Sequence, residues 1–150
     1  MENAACQSEI RIVHFDDLTL KELHAIYRVR SEVFVVGQGI CAVSDVDDLD
    51  LQCWHVLLTV EGRLIGTARL IGHGDQAIKV GRLAVLESCR GRGYGKAIMG
   101  AIHHWIGGRQ GVMSAQAYLE AWYTSLGWQT VSEVYQEAGV DHVEMRYAPA

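Results

Sequence analysis

The stretch of residues 85–96 is the feature that most restricts the fold, because it joins an apolar run to a glycine-rich turn and then to a predicted helix. In its second half, glycine alternates with basic and aromatic residues: Arg90-Gly91-Arg92-Gly93-Tyr94-Gly95-Lys96. Glycine turns leave successive backbone N–H groups free to point at one ligand, and the positive end of a helix dipole adds to them. The stretch therefore predicts a strand, an anion-binding loop and a helix that begins at the anion, which we expect to be a phosphate group.

The residues before this region predict a short strand followed by a long helix. Residues 9–14 alternate between polar and apolar side chains, which is typical of a strand. Thr19 and Glu22 have the spacing of a capping box, in which each side chain satisfies a free N–H group at a helix start. Apolar residues then recur at helical spacing to about Val35, and Gly37 predicts the end of the helix.

Three further strands are predicted to lead into the loop. Residues 54–60 and 64–71 flank the turn Glu61-Gly62-Arg63, as in an antiparallel hairpin. The glycines within 72–75 indicate a second turn, and residues 78–85 form a strand that runs directly into the loop.

The residues after the loop predict a crossover helix and more strands. Residues 98–106 place apolar side chains on one face of a helix, and the short apolar run 111–115 is typical of a buried strand. A strand, a helix and a second buried strand form a right-handed crossover unit. A short helix over 118–126 and strands over 128–135 and 142–147 complete the predicted order.

The composition indicates one globular domain, residues 1–150, with 49% hydrophobic and 21% charged residues. Residues 1–6 have no basic region, and no apolar run approaches the roughly 20 residues of a spanning helix, so we expect neither a targeting signal nor a membrane partner. The net charge of −5 argues against binding to nucleic acid, which needs clustered Lys and Arg. The cysteines lack zinc-site spacing, which favours free thiols in the cytoplasm: Cys6, Cys41, Cys53 and Cys89.

Residues 44–50 contain four carboxylates and raise the question of a calcium site. An EF-hand loop that begins at Asp45 needs glycine at its sixth position and glutamate at its twelfth, where this chain has Asp50 and Val56. We therefore interpret the segment as a solvated loop, with a trap for a substrate amine as the alternative.

Three phosphate-binding patterns compete for residues 90–96. The dinucleotide fingerprint G-x-G-x-x-G fails because Lys96 stands at its last glycine, and the P-loop fails because it needs glycine where Arg90 stands. The third pattern, R/Q-x-x-G-x-G/A, is met by Arg90, Gly93 and Gly95. On this pattern and on the order of elements, the chain resembles the GNAT superfamily of acyl-CoA-dependent N-acetyltransferases. The resemblance implies an α/β (α+β) fold with a mixed central sheet of about seven strands flanked by about four helices.

The resemblance also implies a binding site for acetyl-CoA. The amides of residues 90–96 would hold its pyrophosphate, which needs several N–H donors and a cation. The strand residues Leu83-Ala84-Val85 would pair with the pantetheine amides. Gln116 stands where the family usually has an Asn that contacts the cofactor, Tyr123 follows seven residues later, and Gly127-Trp128 ends the segment where Gly-Phe is usual.

Finer features resemble the small ElaA-like branch of the superfamily. They comprise residues 28–36, Gly81-Arg82, residues 115–117 and residues 138–142. That branch commonly has Glu where Gly37 stands, which predicts a difference on the substrate side.

Acetyl transfer to an amine needs a free-base amine, a donor to the developing oxyanion and a proton for the leaving thiolate. By the resemblance, Tyr123 supplies that proton, and a phenol with a pKa of about 10 suits the role. An amide near Val85 would steady the oxyanion if the strand carries the family's bulge. No residue before Leu83 supplies the carboxylate that many members use as general base. The remaining candidates, each acting through water, are His142, Glu137, Glu144 and His55.

Two further sites have alternative interpretations. Arg82 either binds a substrate carboxylate or pairs with a neighbouring acid. His103 and His104 point about 100° apart on a helix, so we interpret them as a surface pair and predict no metal.

The predicted reaction is direct transfer of an acetyl group from acetyl-CoA to a primary amine of a small molecule or peptide, without a covalent intermediate. The alternatives are a non-catalytic acyl-CoA-binding module and a longer-chain acyltransferase, as in the acyl-homoserine lactone synthases that share this fold. If the chain self-associates, a homodimer is the default expectation.

Overall fold

A mixed β-sheet carries the fold. The computed structural model describes residues 7–72, 74 and 76–149, and within them the chain forms eight strands and three α-helices. The strands are β1 (Ser8–His14), β2 (Trp54–Val60), β3 (Arg63–Ile71), β4 (Ile78–Val85), β5 (Gly111–Gln116), β6 (Gln129–Thr130), β7 (Tyr135–Glu137) and β8 (Val140–Tyr147). The helices are α1 (Leu20–Arg30), α2 (Tyr94–Ile106) and α3 (Glu120–Ser125). The predicted mixed fold is confirmed, with one α-helix fewer than the approximate number expected.

Two neighbouring strands in the middle of the sheet, β4 and β5, are paired over only part of their length. Its strand order is β1-β2-β3-β4-β5-β8-β6, and β7 pairs with β8. Among the described strands, β4 and β5 form the one parallel pair, which ends at Val80 and Met113. Both strands continue unpaired with each other, to Val85 and Gln116. A gap therefore separates their carboxyl ends.

A β-bulge interrupts β4 where this gap begins. Thr67 of β3 faces Ala84 and Arg69 faces Gly81, so two steps along β3 match three along β4. Arg82 lies within the bulge, and its φ of 51° is uncommon for a residue with a side chain. The bulge that the family resemblance implied is present.

The sequence signals place the first helix correctly. The N–H of Glu22 donates to Thr19 Oγ1 at 3.1 Å and the N–H of Thr19 donates to the Glu22 carboxylate at 2.9 Å, which is the predicted capping box. Beyond Arg30 the chain continues as a π-helical segment, Ser31–Gly37. The predicted long helix is therefore a continuous helical segment that changes from α-helical to π-helical hydrogen bonding after Arg30. It ends at Gly37, as predicted.

Two elements are shorter than the sequence predicts. A 3₁₀ turn, Ala117–Leu119, replaces the first turn of the helix expected over 118–126. The strand expected over 128–135 is split into β6 and β7. Between them, Ser132 Oγ accepts the N–H of Glu144 at 2.8 Å, so a side chain replaces a backbone partner of the ladder.

His103 is not the surface residue that the sequence predicts. Its Nε2 accepts a hydrogen bond from Trp128 Nε1 at 2.9 Å, and its ring stacks on Tyr147 with centroids 4.2 Å apart. Burial lowers the pKa of His103, which favours the neutral ring that can accept this bond. His104 is exposed, as predicted.

No described helix is long and apolar enough to cross a membrane. Cys41, Cys53 and Cys89 are free thiols. The predictions for residues 1–6, which include Cys6, and for His73 and Asp75 in the turn after β3 fall outside the described residues.

Candidate active site

A cavity of about 1020 Å³ lies at the gap between β4 and β5. The bulged end of β4, the loop before α2, the start of α3 and the β7–β8 hairpin all contribute to its wall. Of the predicted site residues, Arg92 and the candidate bases His55 and Glu144 do not line it. Those that do are Arg82, Leu83, Ala84, Val85, Arg90, Gly91, Gly93, Tyr94, Gly95, Lys96, Gln116, Tyr123, Glu137 and His142.

The loop before α2 has the backbone geometry of an anion cradle. Gly91 and Gly93 have φ values of 77° and 82°, a left-handed conformation that glycine adopts at little cost. Gly93 is the N-cap of α2, and the N–H of Ala97 donates to its carbonyl at 3.0 Å. The N–H groups before Ala97 therefore have no acceptor one α-helical turn earlier. Arg90 Nε donates to the carbonyl of Val85 at 3.1 Å and ties the loop to β4.

Gly95 leaves room for an aromatic side chain next to the cradle. A Cβ at this position would lie 3.3 Å from Cζ2 of Trp122, which is tighter than most real Cβ contacts. Trp122 in turn packs edge to face on Tyr123, with ring centroids 4.9 Å apart. The third glycine of the motif therefore allows α2 and α3 to approach closely.

Tyr123 lines the cavity from α3 and is almost fully buried, at 6% exposure. Burial raises the pKa of Tyr123 above its ordinary value, and the nearby Tyr118 adds to the effect. The phenol therefore retains its proton at neutral pH and can donate it.

Glu137 and His142 come together at the β7–β8 hairpin. His142 Nε2 lies 3.4 Å from Glu137 Oε2, which accepts a hydrogen bond from Ser114 Oγ at 2.9 Å. Tyr135 Oη lies 2.5 Å from the same Ser114 oxygen. His142 Nδ1 lies 2.7 Å from the carbonyl of Val140, and because a carbonyl can only accept, Nδ1 carries a proton. Nε2 is the ring nitrogen that faces the Glu137 carboxylate, so a proton held between these two atoms can join them in a hydrogen bond.

Arg82 pairs with neighbouring acids, one of the two predicted alternatives. Its guanidinium group lies 3.0 Å from Asp45 Oδ1 and 3.5 Å from Asp47 Oδ2. It also donates to the Asp45 carbonyl at 3.2 Å. These contacts accompany the unusual backbone conformation of Arg82 within the bulge.

The acidic segment 44–50 is only in part the solvated loop that the sequence predicts, because four of its residues are exposed and three of its carboxylates pair with arginines. Arg30 lies 2.9 Å from Asp45 and 2.8 Å from Asp50. Arg69 lies 2.7 Å from Asp47 and 3.0 Å from Asp50. Three of the four carboxylates, those of Asp45, Asp47 and Asp50, therefore neutralise arginines, whereas Asp48 is exposed. We call this group the Arg–Asp cluster: Arg30, Asp45, Asp47, Asp50, Arg69 and Arg82.

Two of the four candidate bases lie outside the cavity. His55 is buried, its Nε2 is 3.1 Å from the Asp50 carbonyl, and burial lowers its pKa. Glu144 pairs with Arg146 at 3.5 Å. Neither lines the cavity, so Glu137 and His142 remain.

Asp50, Cys53 and His55 bring three potential metal-ligand atoms within 4.8 Å of one another. However, Arg30 and Arg69 already donate to the Asp50 carboxylate at 2.8 Å and 3.0 Å. The positive charge of these two arginines disfavours the binding of a metal ion at this position. We therefore interpret Asp50, Cys53 and His55 as residues that pack in and around the Arg–Asp cluster.

Two lining residues have no signal in the sequence strong enough to single them out. Gln38 exchanges two amide hydrogen bonds with Gln116, at 2.9 Å and 3.1 Å, and also donates to Tyr118 Oη at 3.2 Å. Ser114 donates a hydrogen bond to the Glu137 carboxylate. In the sequence it is marked only by being the one hydroxyl residue of the apolar run 111–115. Both roles depend on partners more than 20 residues away in the chain.

Comparison with known proteins places this architecture in a family. A family model described as an acetyltransferase (GNAT) domain matches residues 50–149. ElaA of Escherichia coli is 33% identical over 142 residues, which cover 89% of this chain and 92% of ElaA. Its crystal structure matches at 31% identity with a TM-score of 0.83, over 94% of this chain and 99% of that one.

Two other crystal structures match over nearly the whole chain. An acyl-CoA N-acyltransferase from Pseudomonas aeruginosa is 35% identical, with a TM-score of 0.83 over 95% of this chain and 100% of that one. A GNAT family acetyltransferase from Elizabethkingia anophelis with acetyl-CoA bound shares the fold at 11% identity, with a TM-score of 0.64 over 95% of this chain and 98% of that one. The matches at 30% identity or more, together with the family model, show that this chain belongs to the GNAT acetyltransferase family, in its ElaA-like branch.

Proposed function

We propose that this chain transfers an acetyl group from acetyl-CoA to a primary amine by direct attack in a ternary complex. The observation that carries the proposal is the convergence on one cavity of an anion cradle, a buried phenol and a carboxylate–imidazole pair. The anion cradle would bind the cofactor, the buried phenol would donate a proton, and the carboxylate–imidazole pair would accept one. No covalent intermediate and no metal is part of the proposal.

The residues present fit coenzyme A. The cradle offers unpaired N–H groups at a helix start, with Arg90 and Lys96 beside them on the cavity wall, and a pyrophosphate is best held by such a set. Leu83, Ala84 and Val85 lie on the part of β4 that β5 does not pair, so this edge is open to the amides of pantetheine. The E. anophelis acetyltransferase, which shares the fold, holds acetyl-CoA.

Acetyl-CoA, when bound, supplies the acetyl group as a thioester. Tyr123 holds a proton at its phenol oxygen and gives it to the departing sulfur. A backbone N–H near Val85, at the bulged end of β4, donates to the carbonyl oxygen on which negative charge develops. The free-base amine forms the C–N bond as the C–S bond breaks, and the proton that the nitrogen then loses passes through water to the Tyr123 oxygen and restores the phenol. Before the attack, an ammonium group must also give up its extra proton.

Glu137 and His142 accept that proton. The Glu137 carboxylate lies 3.4 Å from His142 Nε2, so a proton that arrives at either group can be held between the two. Ser114 keeps the carboxylate in place by donating to it. The amine can pass its proton to this pair directly or through water.

We expect Glu137→Gln to lower kcat/KM for an amine by about 100-fold at neutral pH, because general bases contribute about 10²–10⁴-fold. The deficit should shrink as the pH rises toward the pKa of the amine, since more of the amine then arrives deprotonated. A pH–rate profile measures both effects. Glu144→Gln is the matched control, because Glu144 lies outside the cavity and should retain full activity. A deficit that stays constant with pH would contradict the assignment.

We expect Gly93→Ala to raise the Kd for coenzyme A by about tenfold. A Cβ at a left-handed φ costs about 1–2 kcal/mol, and relief of that strain turns the cradle N–H groups away from the phosphates. Isothermal titration calorimetry with coenzyme A measures the change. Gly100→Ala on α2 is the control, because its Cβ has no neighbour within 4 Å and its φ is ordinary. Equal affinity in the two variants would argue against the cradle.

The proposed function is tested by thiol release from acetyl-CoA over a panel of primary amines, together with calorimetry. We expect binding of acetyl-CoA and release that depends on the amine. Binding without release with any amine would support the non-catalytic acyl-CoA-binding module instead. Faster release from octanoyl-CoA than from acetyl-CoA would support the longer-chain acyltransferase, and absence of binding to either would contradict all three.

A further inference from the structure

An apolar surface lines the cavity beside the Arg–Asp cluster. We call it the apolar wall, and it consists of Phe34, Ile40, Val43, Leu49 and Ile71. Val43 is 55% exposed and Leu49 is 39% exposed. Within the described part of the chain, Phe34 is the one member that also packs against the hydrophobic core. The other four side chains therefore face the cavity or water, and their apolar character does not serve the packing of the hydrophobic core.

The apolar wall is held in place by polar contacts on either side of its residues. The N–H of Ile40 donates to the Phe34 carbonyl at 2.9 Å. Between Val43 and Leu49, the Asp45 carboxylate is fixed by Arg30 and Arg82. The chain from the π-helical segment to β2 is thereby fastened to α1 and to the bulge of β4. The exposed apolar side chains thus have a defined position at the end of the cavity where β4 bulges.

The charges next to the apolar wall are already neutralised. The Arg–Asp cluster contains three arginines and three aspartates, so its formal charges cancel. Arg69 and Arg82, the two cluster arginines that line the cavity, both contact Asp47. Lys79 also lines the cavity, but its side chain is exposed and its ammonium group can remain hydrated. This end of the cavity therefore offers apolar contact and no unpaired guanidinium group for a carboxylate.

We infer that the acceptor is a primary amine with an uncharged apolar body, an aryl group or an alkyl chain of several carbons, which lies on the apolar wall. The inference rests on the proposed function, because it places the nitrogen at the bulge of β4 and the body against Val43, Leu49 and Ile71. Burial of each methylene group favours binding by about fourfold.

The first test compares acceptors of graded polarity at saturating acetyl-CoA. From propylamine to hexylamine, kcat/KM should rise by about two- to fourfold per methylene group. The value for 2-phenylethylamine should exceed those for ethanolamine and spermidine by at least about tenfold. It should also exceed the value for phenylalanine, which adds a carboxylate to the same body. A flat series, or a preference for ethanolamine, spermidine or phenylalanine, would overturn the inference and leave the proposed acetyl transfer intact.

The second test alters the apolar wall itself. Leu49→Ser should raise the KM for hexylamine by about five- to tenfold and leave the KM for ethanolamine unchanged. Leu51→Ser is the matched control, because Leu51 lies two residues away, is 54% exposed and does not line the cavity. Calorimetry of 2-phenylethylamine binding to the protein with coenzyme A gives a readout that needs no turnover. Equal affinity in the Leu49 and Leu51 variants would overturn the inference even if no amine is acetylated, whereas an affinity loss without turnover would contradict only the proposed function.

Discussion

Tyr123→Phe is expected to lower kcat by about 10²–10⁴-fold, the usual contribution of a positioned general acid. The change in Kd for acetyl-CoA should stay within about threefold, because phenylalanine retains the buried ring and its edge-to-face contact with Trp122. Steady-state kinetics with a fast amine, together with calorimetry, separates the two quantities. The expected result is therefore a loss of turnover without a loss of cofactor binding.

The burial of Tyr123 favours this role despite its raised pKa. A raised pKa keeps the phenol protonated, but it also makes the phenol a weaker acid. Burial also makes a thiolate a stronger base: the pKa of the Cys53 thiol in this protein is raised to about 11, with burial as the largest cause. The proton affinities of donor and acceptor thus rise together, and transfer between them stays feasible.

Tyr147→Phe is the control for this experiment. Tyr147 is partly buried and stacks on His103, but it does not line the cavity. The same substitution there should leave kcat within about threefold of the unaltered protein. Similar kcat values for the two variants would mean that Tyr123 is not the acid and that water or another group protonates the sulfur.

The parts of the site that the sequence predicts are those encoded locally. The cradle depends on Gly91 and Gly93, whose left-handed backbone is a property of single residues, and on the helix start that follows them. The offset of Tyr123 from Gln116 and from Gly127 is also local, because a turn and a short helix preserve it. Such features can be predicted from residue spacing because the interacting groups are neighbours in the chain.

The Arg–Asp cluster could not be predicted in this way. Arg30 and Asp45 are 15 residues apart, and Arg82 and Asp45 are 37 apart. Segment 44–50 has the composition of a solvated loop, and only tertiary packing brings arginines from α1, β3 and β4 to its carboxylates. The same reason explains why Ser114 and Gln38 were missed, since their partners are also distant in sequence.

Arg30→Met is expected to lower the free energy of unfolding by about 3–5 kcal/mol, the usual cost of removing one partner from a buried ion pair. Arg30 and Asp50 are each 1% exposed, so the carboxylate left behind has little access to water. Arg11→Met is the matched control, because Arg11 pairs with Glu22 at the surface with a side chain that is 50% exposed. That pair should contribute about 0–1 kcal/mol. Urea unfolding measures both variants, and losses of equal size would show that the cluster contributes no more than a surface pair.

The pH dependence of the same two proteins tests the cause of the loss. Burial on its own would raise the pKa of Asp50, but hydrogen bonds and charge from Arg30, and then from Arg69, hold it below its usual value. The stability from this pairing is fully present above the unfolded carboxyl pKa of about 4 and is lost as the pH falls through the lower pKa of the folded state. In Arg30→Met the pKa of Asp50 should rise, because burial still raises it and only Arg69 is left of the two arginines that lower it. The difference in the free energy of unfolding between Arg30→Met and Arg11→Met should therefore shrink as the pH falls below about 4, because protonation of Asp50 removes the charge that Arg30 pairs with. Urea unfolding across this pH range measures the difference, and a difference that stays constant with pH would mean that the lost stability comes from packing of the arginine side chain and not from its charge.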